Sequence, residues 1–372
     1  MALPDEIKKS IVMMKVAFIS RSSLFTAKGG DTVQMQETAR CLKNWNVDVD
    51  IRLTGEKINY QEYDLLHFFN LTRPADILFH IKKSKTPFVV TPLLIDYSEF
   101  DQQHRKGISG KIFHYLSSAQ IEYFKSIARW TKRQEKIRSF SYLVKGYDHS
   151  IKYILLKARM VLPNSEMEYE NLAQSYSLSP SFSVIPNGID TDLFSSSVNK
   201  EKDPNLILSV ARIEGLKNQL NLIKAVNDSR FQLFLIGNAA INQTDYYKKC
   251  KKTASPNIHF IHHLPQQELI EYYQKAKVHI LPSWFETCGL STLEAASLGC
   301  NVVITNRGYA SEYCNGHAFY CDPSSPVSIR EAIEKASKEN GNKNFREKIF
   351  ANYTWKNAAQ KTFEAYKKIL LK

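Results

Sequence analysis

The run Val278-His-Ile-Leu281-Pro-Ser-Trp-Phe-Glu286-Thr-Cys-Gly289-Leu-Ser-Thr-Leu-Glu294-Ala-Ala-Ser-Leu-Gly299-Cys-Asn301-Val-Val-Ile-Thr305 decides the fold class. Val278–Leu281 has the length and apolar character of a buried strand. Pro282-Ser283-Trp284 turns the chain. Thr292–Leu298 reads as a helix, and Asn301–Thr305 is a second apolar strand. Short apolar strands joined through a helix are the unit of a parallel sheet covered on both faces.

The same unit recurs along the chain. Leu206–Val210 is a strand, followed by a helix at Gln219–Asn227 and a strand at Gln232–Ile236 that ends at Gly237. Ile258–Ile261 and a helix at Gln266–Gln274 lead into the quoted run. An earlier series begins with strand Lys15–Ser20, a loop ending in Gly29-Gly30 and a helix from Asp31 to Asn44. Val47–Leu53 then alternates as a half-exposed strand does, and Leu65–Phe69 and Phe88–Thr91 are further strand-length runs. Two such series in 372 residues predict an α/β protein of two doubly wound domains.

Turn-forming residues cluster at Pro186–Lys200, which contains Asn187-Gly188 and Ser195-Ser196-Ser197. The expected domains are therefore 1–192 and 193–354. Lys338–Asn344 reads as a polar turn between helices. The closing segment Trp355–Lys372 is amphipathic, with Phe363, Tyr366, Ile369 and Leu370 at helical spacing.

Composition narrows the function classes. Hydrophobic content of 43% and charged content of 23% exclude collagen-like and disordered chains. No apolar run reaches the roughly 18–20 residues that span a bilayer, so a cytoplasmic protein is expected. Cys41, Cys250, Cys288, Cys300, Cys314 and Cys321 form no CxxC pair, which predicts free thiols and no zinc site. The net charge of +13 calls for an acidic partner. Most of it comes from 102–159, where thirteen Lys or Arg face three Asp or Glu. Phe113, Tyr115, Tyr123, Phe124, Trp130, Phe140, Tyr142, Tyr147 and Tyr153 are interleaved with those cations. Basic helices with aromatic side chains suit an anionic membrane surface; a hydrophobic core with a solvated cationic face fits the same pattern.

Three loops carry candidate chemistry. Gly289 stands just before a helix whose first-turn N–H groups and positive dipole end suit a phosphate. Glu294, one turn in, could accept from ribose hydroxyls, and Glu286 in the loop could hold a sugar. Ser291-Thr-Leu-Glu294 equally fits a capping box, in which Glu294 only satisfies a backbone N–H. Arg212-Ile-Glu-Gly-Leu-Lys217 follows a strand, where open α/β sheets bind ligands, and its two cations suit a diphosphate. Two solvated loop charges would look the same. Gly29-Gly30 sits in the first βα turn, which often meets phosphate, while Asp31 fits a helix N-cap.

Taken together, these runs resemble glycosyltransferase family four (group 1). Leu206-Ile-Leu-Ser-Val-Ala-Arg212-Ile-Glu-Gly-Leu-Lys217 is similar to its donor-diphosphate segment, and Glu286 through Glu294 to its E-x7-E signature. Val184-Ile-Pro-Asn187-Gly188-Ile-Asp190 resembles its interdomain PNG-x-D turn. The resemblance implies the GT-B fold, two Rossmann-like domains across a cleft, with helix 355–372 crossing back onto the first. It implies a retaining transfer of sugar from a nucleotide-diphosphate donor, with no metal or other cofactor. Arg212 and Lys217 would neutralise the diphosphate, Glu294 would bind ribose and Glu286 the sugar. Gly289, Leu290 and Ser291 would hold phosphate through backbone N–H groups. Gly30 would approach from the other domain, and the base would lie near Gly237 and His263. The acceptor is expected to be a glycan or a lipid-linked molecule, in surface polysaccharide or glycolipid synthesis, on the inner face of a membrane. Many members carry a histidine after the strand that here reads Phe88–Thr91; this chain has Leu93 and Leu94 there, leaving Asp96, Tyr97 and Glu99 as acceptor candidates.

Rival classes have weaker support. Asp48-Val-Asp50 and Asp190-Thr-Asp192 match a metal-binding Asp-x-Asp in letters, but one lies in a strand and the other in the interdomain turn. No G-x-G-x-x-G follows a first strand, which disfavours a dehydrogenase. No nucleic-acid-binding motif accompanies the basic segment. A non-catalytic GT-B relative acting as a partner subunit remains the alternative.

Overall fold

The computed structural model describes residues 13–97, 99–101, 118–131, 136–195 and 201–371. Much of the basic segment, including Phe113 and Tyr115, and the linker residues Ser196 to Lys200 lie outside the described residues. The chain divides into two compact units, Met1–Pro186 with Trp355–Lys372, and Asn187–Thr354.

The first unit contains β1 (Met14–Ser20), α1 (Gly30–Leu42), β2 (Val47–Leu53), β3 (Leu65–Phe69), α2 (Pro74–Ile81) and β4 (Phe88–Thr91). It continues with α3 (Ser118–Thr131), α4 (Phe140–Lys157), β5 (Met160–Val161) and α5 (Glu166–Tyr176). The strands pair in parallel in the order β2-β1-β3-β4-β5. Every residue of β3 is buried, as a central strand between two helical layers requires. β2 is the edge strand, and its alternating Val-Asp-Val-Asp pattern suits one solvated face. Gly29, not Asp31, caps α1. The Asp31 carboxylate instead takes two hydrogen bonds, of 2.8 and 3.1 Å, from the Arg21 guanidinium.

The second unit contains β6 (Asp203–Val210), α6 (Gln219–Val226), β7 (Gln232–Ile236), α7 (Thr244–Thr253) and β8 (Ile258–Ile261). α8 (Gln266–Lys275), β9 (Ala276–Leu281), α9 (Leu290–Ser297), β10 (Asn301–Thr305) and α10 (Ala310–Cys314) follow. β11 (Phe319–Cys321), α11 (Pro326–Lys338) and α12 (Lys343–Asn352) complete it. All six strands are parallel, in the order β11-β10-β9-β6-β7-β8. The order reverses between β6 and β9, so their carboxyl ends form the switch point where open α/β sheets bind ligands.

The last helix, α13 (Trp355–Leu370), belongs to the first unit. Phe363 stacks on Trp45 at 5.3 Å. The Tyr366 hydroxyl meets Nδ1 of buried His67 at 2.7 Å, while Thr91 meets the other ring nitrogen at 2.8 Å. The unit boundary falls after Pro186 rather than after residue 192. The reason is local: the Asn187 N–H donates to the Tyr313 hydroxyl, Ile189 pairs with Thr354, and Phe194 is wholly buried in the second core. All six cysteines are buried free thiols. Among the described residues no helix is long and apolar enough to cross a membrane.

Candidate active site

The site is built at the β6/β9 switch point of the second unit. After β6 the chain forms a short 3-10 turn, Gly215–Lys217, and Asn218 takes a left-handed conformation before α6. The Asn218 amide donates to the carbonyls of Pro282 and Pro323, at 3.0 and 2.7 Å. The Trp284 N–H donates to Leu216 O at 2.8 Å. These contacts stitch the loop after β6 to the loop after β9. They bring Lys217 Nζ to 2.6 Å from Glu286 Oε2.

Glu286 is buried and held from three sides. Ser283 Oγ donates to the same carboxylate oxygen at 2.9 Å. The Glu286 carbonyl accepts from the N–H groups of Tyr309 and Ala310, at the start of α10. Its backbone also pairs with Gly308, which lies at φ 88°. A Cβ on Gly308 would stand 2.3 Å from the Glu286 oxygen, so only glycine lets the strands of this loop pair approach so closely.

α9 begins at Leu290, with Gly289 as its N-cap in the left-handed region. Its internal hydrogen bonds begin with the Thr292 N–H to Gly289 O, at 2.8 Å, so the N–H groups of Leu290 and Ser291 precede them. Ser291 Oγ donates to Val210 O at 2.8 Å, fixing that start against the end of β6. The capping-box reading of Ser291 to Glu294 is overturned, because the cap lies two residues before Ser291. Glu294 instead accepts from Gln266 Nε2 at 2.7 Å and from the Tyr273 hydroxyl at 3.0 Å. Burial pushes its carboxyl up to about 7, against the pull of these two donors.

Arg212 points elsewhere. Its guanidinium is half exposed and donates to Glu214 at 2.9 Å on the same loop. Gly237 has a packing reason: at φ 151°, a Cβ would stand 2.0 Å from Ala211 O. Asn238 accepts from the His263 N–H at 3.1 Å and lies 3.4 Å from His262 Nδ1. His263 itself is exposed. Thus Lys217 and Glu286 are in contact, Ser291 and Gly289 border the same strand ends, and Glu294 is gripped by α8. Arg212 and His263 occupy neighbouring loops without touching them.

The remaining candidates belong to the first unit. Gly30 is the first residue of α1. Asp96 is exposed, while Tyr97 and Glu99 are half-buried. Lys125 Nζ lies 4.9 Å from the Tyr97 ring and 2.6 Å from Asp101. Where the family's histidine is expected, Leu93 has a positive φ of 50° and Leu94 N–H donates to Glu168 at 2.8 Å. Glu168 is buried and also accepts from Asn164 N–H, binding the ends of β4 and β5 together. Of the two Asp-x-Asp pairs, Asp50 accepts from the Tyr63 hydroxyl and Asp190 from the Asp192 N–H.

Gln266, Tyr273, Ser283, Gly308 and Glu168 were not legible as site residues. Gln266, Tyr273 and Gly308 meet partners more than twenty residues away, and Ser283 and Glu168 read only as a turn residue and a helix-favouring residue.

Comparison with known proteins agrees with the motif reading. Residues 190–354 match the family described as Glycosyl transferases group 1. An uncharacterized glycosyltransferase of Methanocaldococcus jannaschii is 26% identical over 187 residues, 47% of this chain and 47% of its own length. The chain thus spans about half the length of the first curated relatives it matches. Sucrose-phosphate synthase from Thermosynechococcus elongatus superposes with a TM-score of 0.74 at 16% identity, covering 96% of this chain and 99% of that one. Anabaena HepE, solved in complex with UDP and glucose, gives 0.68 at 15% identity over 95% and 100%. At these identities the likeness is one of fold, and the fold is GT-B.

Proposed function

We propose that this chain, which carries a group 1 glycosyl transferase domain over residues 190–354, moves a sugar from a nucleoside-diphosphate sugar to a glycan or lipid-linked acceptor. The observation that carries the reading is the contact between Lys217 and Glu286, beside the start of α9 and at the β6/β9 switch point. Departure of a nucleoside diphosphate leaves new negative charge on phosphate and positive character on the sugar. Fixed donors aimed at that charge are the largest lever an enzyme has on such a step. On this reading Lys217 exchanges Glu286 for the diphosphate, Arg212 swings from Glu214 to join it, and the first-turn N–H groups of α9 hold phosphate. Glu286, released from Lys217, accepts from sugar hydroxyls. No metal is needed for that charge balance.

Retention of configuration belongs to the same proposal, with the acceptor hydroxyl attacking on the leaving-group face and the departing phosphate taking its proton. A membrane-borne acceptor is supported by α3 and α4, which expose Phe124, Trp130, Phe140, Val144 and Leu156 beside Lys145, Lys152 and Lys157. Surface polysaccharide or glycolipid synthesis is the corresponding role.

The test is a thermal-shift series with UDP, GDP and ADP, followed by nucleotide release from the matching sugar donors. UDP is the first probe, since HepE was crystallised with it. Stabilisation by one nucleotide with turnover supports the proposal; no stabilisation by any of them overturns it. Binding without turnover would favour a non-catalytic relative, a reading supported by Leu93 and Leu94 at the histidine position.

A further inference from the structure

We infer that α8 is the positioning element for the ribose-binding carboxylate: Gln266 and Tyr273 aim Glu294, and Lys202 secures the far end of the helix. The inference rests on the glycosyltransferase reading above, and adds residues to its site.

The geometry is a grip from two turns of one helix. Gln266 is the first residue of α8 and donates to Oε1 of Glu294 at 2.7 Å. Tyr273, two turns later, donates to Oε2 at 3.0 Å. Each oxygen therefore has its own donor, and the plane of the carboxylate is fixed. Both donors favour the ionised form, because a protonated acid would present one oxygen with a hydrogen of its own. Burial works the other way, favouring the neutral acid. Without the donors, burial would favour the protonated acid further, and a protonated carboxyl accepts poorly from ribose hydroxyls.

The helix is anchored at its other end. Lys202 Nζ donates to the carbonyls of Tyr273, Gln274 and Ala276, at 2.8, 3.3 and 3.2 Å. The carbonyls of Tyr273 and Gln274 lie in the last turn of α8 and that of Ala276 just follows it, where the helix supplies no further donors. A cation there also opposes the negative dipole end. Tyr273 is wholly buried, against the rings of Phe194 at 6.4 Å and His279 at 5.9 Å. Its hydroxyl is thus placed by packing, and the hydroxyl alone reaches Glu294.

Few other groups near Glu294 titrate between pH 5 and 8. Tyr273 and Cys288 are raised by burial well above their usual ranges, Cys300 is pushed up to about 11, and His279 is pushed down to about 3. Lys202, behind Tyr273, is lowered by burial and contacts Cys300 rather than Glu294.

The experiment measures dissociation constants for UDP, GDP and ADP, and for their 2′-deoxy and 3′-deoxy forms, from pH 5 to 8.5. The wild-type protein, Tyr273→Phe and Gln266→Leu are compared. The nucleotide that binds wild type should lose at least about tenfold in affinity when the recognised ribose hydroxyl is missing. In Tyr273→Phe that ratio should fall toward one, and the acid-side loss of affinity should move to higher pH. Because the nucleotide is the same in both proteins, its own phosphate titration cancels. Gln266→Leu should reproduce the effect, and it stands in if Tyr273→Phe does not fold. An unchanged ratio and pH profile in the variants overturns the inference while leaving the glycosyltransferase reading intact. Failure of wild type to bind any nucleotide overturns both.

Discussion

Lys217 and Glu286, 69 residues apart, form a contact of 2.6 Å in which the ammonium and the carboxylate are respectively 19% and 7% exposed. Each partner is the counter-charge of the other. On the proposed function, a diphosphate sugar would replace both contacts, with Lys217 turning to the diphosphate and Glu286 to the sugar.

Lys217→Ala should therefore affect two measurements. Turnover should fall by roughly 10²–10³, the cost of one lost donor to developing charge. Thermal stability should also fall, because Glu286 would remain buried without its cation. Addition of nucleoside diphosphate should recover less stability in the variant than in wild type. A variant with normal turnover, followed by nucleotide release, contradicts the assignment.

Turnover should persist in excess EDTA if, as proposed, Lys217, Arg212 and the α9 start supply the positive charge. The check is initial rate before and after chelation and dialysis. Loss of activity that returns with a divalent cation would assign the charge balance to a metal.

Gly237 and Gly308 should resist substitution for different reasons. Gly237→Ala forces a Cβ to 2.0 Å from Ala211 O, at a φ of 151°. The cost should be at least about 2 kcal/mol in urea unfolding, from clash and backbone strain together. Gly308→Ala pushes directly on the Glu286 backbone, with 2.3 Å to its oxygen. Its larger effect should appear in turnover, because the displaced backbone carries the carboxylate that meets Lys217. Equal effects of both variants on stability and rate would refute this division.

The parallel sheets were legible because each strand writes its own pattern. β2, β3, β4, β7, β8 and β10 have the limits that their apolar runs predict. Helices α2, α5, α7 and α10 and the short strands β5 and β11 have no counterpart in the sequence reading; the two strands, of two and three residues, are too short to write a pattern and form at the sheet edges beside β4 and β10. In the site, Gly289 and Lys217 announce themselves by position after a strand. The grip on Glu294 does not, since Gln266 lies 28 residues away and reads only as a helix start. The misplaced domain boundary has a similar cause. Asn187-Gly188 marks a turn, but which core captures Ile189 and Phe194 depends on Tyr313, Tyr353 and Thr354, over a hundred residues away.

Vesicle binding tests the exposed face of α3 and α4. Phe140 and Val144 are 80% and 70% exposed, and Leu156 is 69% exposed. The protein should float with vesicles containing anionic lipid at low salt, and less with neutral ones. Replacing Lys145, Lys152 and Lys157 together with Glu should abolish flotation without lowering nucleotide affinity. No flotation of wild type at low salt would assign these side chains to another role.

Acid sensitivity should trace in part to His279. It is wholly buried in β9, neither ring nitrogen has a hydrogen-bond partner among the described residues, and burial pushes it down to about 3. The unfolded chain binds a proton at this residue near pH 6.5, and the folded chain does not until about 3. Between those values the unfolded state holds more protons, so stability falls as pH drops below about 6.5. Glu294 acts with the opposite sign. Its stability contribution is full below its usual value of 4.5 and is lost as pH rises through about 7. His279→Leu removes the first effect and keeps the second. The variant should be at least as stable as wild type at pH 7, because two unsatisfied polar atoms are replaced by apolar ones. Its melting temperature should fall less between pH 7 and pH 5. Parallel curves for the two proteins would show that His279 is not a source of the acid loss.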